Sequence, residues 1–223
     1  MSEARHDLSR MDFQVERMIL FTDAVFAIAI TLLVIEIKVP LVSVYSDHAL
    51  MESLSEMGLK FLGFLISFGI IGHYWLVHHR IFGYVEKYSS VLIWLNMAYL
   101  LSIVTLPFSS GLVGEYLPHT EMNLPYVVYT INMCITGIMN CILWIYVSAP
   151  KREFLTRKLS KARIRLGVYR SLVIPAVFVI SMIVSFTLPL ASRLLLLLIP
   201  IILQWGFKGL EAKADKHEHL AGK

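Results

Sequence analysis

Charge is what this sequence has least of. Only 16% of its 223 residues are Asp, Glu, Lys or Arg, 57% are hydrophobic, and the mean hydropathy is +0.68. Soluble domains run nearer a quarter charged, so the balance excludes disorder and points to lipid as the solvent. Cysteine is nearly absent. Cys134 and Cys141 lie seven apart inside one apolar stretch, a spacing that suits neither a CxxC site nor a bridge across a loop. Familiar site chemistry is missing as well: there is no P-loop, no GxSxG, no HExxH and no TVGYG carbonyl filter. His78 and His79 are adjacent and point about 100° apart on a helix, a poor pair for a metal. No nucleophile and base pair is evident, so neither an enzyme nor a cofactor is expected. The net charge of +4 and pI near 9.0 raise nucleic acid as a partner, but no folded module is present to hold bases.

What is there is apolar length. A bilayer core of about 30 Å needs roughly 20 apolar residues per helix. Six segments meet this: 18–38, 58–82, 90–113, 126–148, 169–188 and 191–207. They predict an all-α, polytopic membrane protein in which residues 1–223 form a single six-helix unit. Pro107 should kink or end the third span, and the short connection Pro189 to Arg193 should make a tight hairpin. No small-residue cleavage site follows the first span, so it is expected to stay as a helix.

Six spans put both termini on one side. Seventeen of the 20 Lys and Arg residues fall on that side: the N-terminal arm, Arg80 and Lys87, the connection Lys151 to Arg170, and the tail. Lys38, Lys60 and Arg193 face the other way, with Asp47, Glu52, Glu56, Glu115 and Glu121. The positive-inside rule therefore places the termini in the cytoplasm. The connection Lys151 to Arg170 interleaves its charges with Phe154, Leu155, Leu159, Ile164 and Leu166, which reads either as a solvated loop or as a segment lying on an anionic leaflet.

Polar residues inside the spans carry the rest. Asp23 sits about 9 Å into the first span, where an unpaired carboxylate costs several kcal/mol. Arg17 is about 120° from eclipsing it, so the partners should come from other helices. Trp75 and His78 near the end of the second span, and Asn96 near the start of the third, reach the same depth. A hydrogen-bonded layer of Thr22, Asp23, Trp75, His78 and Asn96 is expected, as a proton relay or as a clamp on three helices. On the same helix Ala24, Ile28, Thr31, Leu32 and Ile35 fall within about 60° of Ile28, whereas Asp23 lies about 220° away. That stripe faces either a pore axis or packing neighbours. Gly63, Ser67, Gly69 and Gly72 suggest a close-packing face on the second span, and Asn132 and Asn140 suggest interhelical hydrogen bonds on the fourth.

The run Arg17-x-x-x-Phe21-Thr22-Asp23, with the helix ending Leu32-Leu33-Val34-Ile35-Glu36-Ile37-x-Val39-Pro40, resembles the RxxxFSD signature of the transmembrane protein 175 family of potassium channels. Trp75-x-x-His78-x-Arg80-x-Phe82, Asn96 and Leu106-Pro107-Phe108 are similar to that family's second and third helices, and the likeness covers about the first half of the chain. Thr22 stands where the family usually has serine, which keeps the hydroxyl. The resemblance implies a six-helix subunit without a re-entrant filter loop, assembling as a homotetramer in the cell membrane of a prokaryote. It implies a pore surrounded by the first helices, with potassium as permeant ion and no cofactor. Ile28, Leu32 and Ile35 would form the constriction with Thr31 beside them, and Glu36 would sit at the outer mouth. Arg17 and Phe21 would join Thr22, Asp23, Trp75, His78 and Asn96 in the structural polar network. A proton-coupled transporter using Asp23 and His78 is the alternative.

Overall fold

A computed structural model describes residues 2–116, 122–150, 154–155 and 159–210. Lys151, Arg152, Arg157 and Lys158 of the basic connection, Glu121, and the tail residues Lys213, Lys216 and Lys223 lie outside them. Among the described residues the regular structure is helical: α1 Ser2–Ile35, α2 Asp47–Glu56, α3 Gly58–Phe82, α4 Ser90–Val104, α5 Leu106–Glu115, α6 Leu124–Ser148, α7 Lys161–Ser185, α8 Pro189–Leu195 and α9 Leu198–Trp205. One isolated bridge, Val85 with Leu155, is the exception.

The helix starts have local causes. Ser46, Ser89 and Ser160 each accept a backbone N–H three residues on, at 3.1–3.2 Å, as N-caps do. Pro107, Pro125 and Pro189 stand in the first turns of α5, α6 and α8, where a missing N–H loses no helical bond. The α4–α5 break follows from the same proline, which cannot donate back to Ile103. The Thr105 hydroxyl reinforces the break by donating to Ser102 O at 3.0 Å and to Asn132 Oδ1 at 3.2 Å.

Six stretches are long and apolar enough to cross a membrane: Phe13–Ile35, Gly58–Phe82, Ser90–Glu115, Leu124–Ser148, Lys161–Ser185 and Ala191–Leu210. The second matches the expected 58–82, and the others differ at their ends for physical reasons. The first helix reaches back to Ser2 and stops at Ile35, not 38, ahead of Pro40, which has no N–H to give the Glu36 carbonyl and whose ring would clash with it. The fifth starts at Lys161, not 169, because apolar counting misses the roughly two helical turns with Lys161, Arg163 and Arg165 that precede the apolar run. Pro189 opens a helix instead of a hairpin, and the turn lies earlier, where the N–H groups of Thr187 and Leu188 both reach Val184 O. The short amphipathic α2 was not expected, since its length is below that of any span.

Helix α6 is the centre, packed against α4, α5 and α7. Two glycines let α7 approach it: a Cβ at Gly137 would overlap the Pro175 ring, and one at Gly167 would overlap the Trp144 indole. Helix α1 packs on α3, α4 and α5. One core cluster gathers Phe26, Tyr74, Tyr99, Met133 and Phe178, and a second gathers Val15, Phe82, Leu92, Leu143 and Trp144. The basic connection turns its apolar residues onto this second cluster. Phe154 is buried and stacks on Tyr146 at 5.5 Å, its carbonyl accepts Glu86 N–H at 2.9 Å, and Leu155 and Leu159 pack beside it. Phe154, Leu155 and Leu159 therefore cover protein, while Lys151, Arg152, Arg157 and Lys158 beside them lie outside the described residues. Gly63, Gly69 and Gly72 meet open space within the chain. The close-packing face predicted for them is absent from the subunit, and only Ser67 of that set is buried.

Candidate functional site

The first membrane helix has two unlike faces. Val15, Thr22, Phe26, Ala29 and Leu33 lie within about 40° of one line along α1. All five are 5% exposed or less. This face is pinned by hydrogen bonds as well as by packing. Asn96 of α4 donates from Nδ2 to Thr22 Oγ1 at 2.8 Å, and its Oδ1 lies 2.9 Å from His78 Nε2 on α3. With the amide so oriented, the imidazole donates from Nε2. His78 is 1% exposed, stacked against Phe82 at 4.1 Å and parallel to Tyr99 at 5.7 Å. Beside this relay, Trp75 Nε1 donates to Asp23 Oδ1 at 2.9 Å. The five residues expected at one depth thus form two contacts sets on three helices, Thr22–Asn96–His78 and Asp23–Trp75.

Arg17 and Phe21, which the resemblance adds to this network, stand outside it. Both are exposed, Phe21 at 50%, and the Arg17 guanidinium lies over the Phe13 ring at 5.8 Å. Helical phase is the reason: they sit about 140° and 100° from Thr22, away from α3 and α4.

The opposite face of α1 is uncovered. Ile28, Leu32 and Ile35 are 57%, 39% and 67% exposed, and Ala24, Ala27 and Thr31 are exposed with them. The Thr31 hydroxyl donates to Ile28 O at 2.8 Å, so its proton is held in the helix and its lone pairs point outward. No group on this stripe titrates. Glu36 does not extend the stripe: its side chain lies across Gly111 of α5, where a Cβ would overlap the carboxylate, on the flank shared with Leu33. Glu115 nearby meets Lys60 at 3.5 Å and Lys38 at 3.8 Å. Among the described residues no group of three His, Cys, Asp or Glu side chains could hold a metal ion.

Sequence reasoning missed a second polar layer. Ser67 Oγ lies 2.7 Å from Ser110 Oγ and 2.8 Å from Tyr129 Oη, and Asn132 donates to Ser109 Oγ at 2.9 Å. Ser109 and Ser110, just after Pro107, were the available signal, because hydroxyls inside a span need partners. Asn132 and Asn140 do make the interhelical bonds expected of them, Asn140 to Ser171 Oγ at 2.9 Å.

The profile of the endosomal/lysosomal potassium channel TMEM175 family matches residues 17–107, the stretch that holds α1, its clamp and the break at Pro107. Over that stretch the chain is similar to the TMEM175 family. A potassium channel of Chamaesiphon minutus is 38% identical over 133 residues, 59% of this chain and 65% of that protein. The chain thus aligns with just under two thirds of that relative's length. A Gallus gallus protein named endosomal/lysosomal proton channel TMEM175 is 32% identical over 167 residues, 69% of this chain and 33% of the chicken protein. The crystal structure of a lysosomal potassium-selective channel TMEM175 homologue from Chamaesiphon minutus superposes with a TM-score of 0.72 at 28% identity, covering 85% of this chain and 96% of that one. The all-helical six-span architecture is therefore the TMEM175 fold.

Proposed function

We propose that the chain is a potassium-preferring cation channel of a prokaryotic cell membrane, with both termini cytoplasmic, assembled as a homotetramer around its α1 helices. The observation that carries this reading is the asymmetry of α1, clamped to its own subunit by Thr22, Asp23, Phe26, Ala29 and Leu33 and bare along Ile28, Thr31, Leu32 and Ile35. A stripe left uncovered by the subunit suits an axis shared with other copies. The relatives named potassium channels, and the superposed potassium-selective channel, support the same choice.

Rings of Ile28, Leu32 and Ile35 would make a constriction too apolar for a hydrated cation, so an ion passes when the helices dilate or it sheds water. Potassium holds its water less tightly than sodium, which gives the preference its direction. The outward lone pairs of Thr31 offer an oxygen in partial exchange. Glu36 acts on the mouth through its field, from the flank at Gly111. Asp23, Trp75, Asn96 and His78 hold α1 in place without touching the ion. Potassium is the permeant and no cofactor takes part.

Transport of protons between Asp23 and His78 has less support. The Asp23 carboxylate is bound by Trp75, whereas His78 is bound by Asn96 and enclosed by rings. The name of the chicken relative makes proton permeation worth reading in the same assay. Purified protein in vesicles is expected to pass potassium above sodium, and Ile28→Asn to raise the flux or erode the preference. A saturable, proton-driven flux indifferent to Ile28 would favour the transporter, and absence of ion flux would leave only an assembly role.

A further inference from the structure

The end of α3, the second half of α6 and the start of α7 line an open cleft of about 180 Å³ that the channel reading does not use. It lies on the face carrying Arg80 and the basic connection. Three guanidinium groups and one imidazole line it, in two rungs. His73 and Arg80 are seven residues apart on α3, and Arg163 and Arg170 are seven apart on α7, so each pair shares a face about 10 Å along its helix. The helices run in opposite directions across the membrane, which puts Arg80 beside Arg163 at the mouth and His73 beside Arg170 below. Among the described residues that line it there is no carboxylate.

The floor is polar and incompletely satisfied. Asn140 donates to Ser171 Oγ at 2.9 Å, while its Oδ1 is buried with no hydrogen-bond partner; the Tyr74 hydroxyl is likewise buried and unpartnered. Both side chains are 1% exposed and both line the cleft. One wall is stiff, because the Trp144 indole fills the notch at Gly167 and donates to Ile164 O at 2.9 Å. Arg170 also donates from Nη2 to Leu203 O at 3.3 Å, which holds it in the wall, and guanidinium is the side chain best matched to phosphate oxygens. A lone donor and a lone acceptor at the floor call for a ligand with both an acceptor oxygen and a hydroxyl.

We infer that this cleft is a binding site for a phosphate ester bearing a free hydroxyl, and that inner-leaflet anionic lipid headgroups of the glycerophosphate type occupy it. Basic pockets between membrane helices on the cytoplasmic side are suited to such headgroups. A soluble phosphate ester or inorganic phosphate shares the chemistry, and the test separates the two sources. The inference concerns binding and stands apart from ion conduction.

The full chain, purified in detergent, is titrated with phosphatidylglycerol, phosphatidylcholine or inorganic phosphate, and bound ligand is counted by native mass spectrometry. Phosphatidylglycerol should be retained over phosphatidylcholine. Arg163→Gln should weaken it about fivefold and Arg80→Gln with Arg163→Gln about thirtyfold, as expected when one and then two basic residues are removed near an anionic surface. Lys208→Gln, which removes the same single charge outside the cleft, should leave binding unchanged. Arg-dependent binding of inorganic phosphate without a preference for phosphatidylglycerol would support the phosphate site and overturn its lipid occupant. Variants that bind as tightly as wild type, or a wild type that holds neither anion above phosphatidylcholine, would overturn the site itself.

Discussion

The two faces of α1 are made from the same kinds of residue and do opposite things. On one, Phe26, Ala29 and Leu33 are within 2% of complete burial and Thr22 is fully buried. On the other, Ile28 and Ile35 are more than half exposed. Hydrophobicity does not separate them, because lipid is as apolar as a packed helix and offers little drive for one apolar face over the other. What separates them is polar chemistry. Thr22 and Asp23 supply groups that lipid cannot satisfy, Asn96 and Trp75 supply the partners, and the helix turns until those bonds form. The bare face is then whatever the clamp leaves over. In the channel reading that remainder becomes the permeation path, so the anchor sets the rotation of the gate.

This contrast can be broken most severely from the clamped side. Phe26→Ala should lower subunit stability by roughly 2–3 kcal/mol in thermal unfolding in detergent, below the aqueous range because the lost ring leaves a void but little transfer energy. Asn96→Leu should cost about 1–2 kcal/mol, since it strands Thr22 and His78 together. A double-mutant cycle with Thr22→Val should show coupling, and strict additivity would mean the relay does not hold α1. Trp75→Phe removes only the Asp23 donor and should cost about 1 kcal/mol on the same melt. Ile28→Ala should move the melt by no more than about 0.5 kcal/mol, as for an uncovered site, yet raise potassium flux in vesicles. If Ile28→Ala proved as costly as Phe26→Ala with flux unchanged, the bare face would be a packing face and the comparison would fail.

Much of this was legible beforehand, for identifiable reasons. The spans follow from apolar length, and the second was read to the residue at 58–82. Depth arithmetic alone brought Asp23, Trp75, His78 and Asn96 to one level, because a fixed rise per residue converts sequence distance into height. Height is only one coordinate, however. It did not show that Asp23 bonds Trp75 while His78 bonds Asn96, nor that Arg17 and Phe21 turn outward. The basic connection was legible only in part, for a related reason. Phe154, Leu155 and Leu159 look amphipathic against lipid, but the chain folds back to cover Val85 and Leu92. The resemblance sets Glu36 at the outer mouth, and sequence alone did not show that its side chain lies against the notch at Gly111 on the subunit's flank.

The sequence by itself determined the solvent, the number of crossings, the depth of each polar group and the period of the apolar stripe, since these depend on composition, length and helical geometry. Rotation about each helix axis, the pairing of donors with acceptors, and the gathering of Arg80, Arg163 and Arg170 around one cleft were decided only in the tertiary structure. Those properties arise between helices, where a hydrogen bond or a glycine notch on one helix has meaning only once its neighbour is in place.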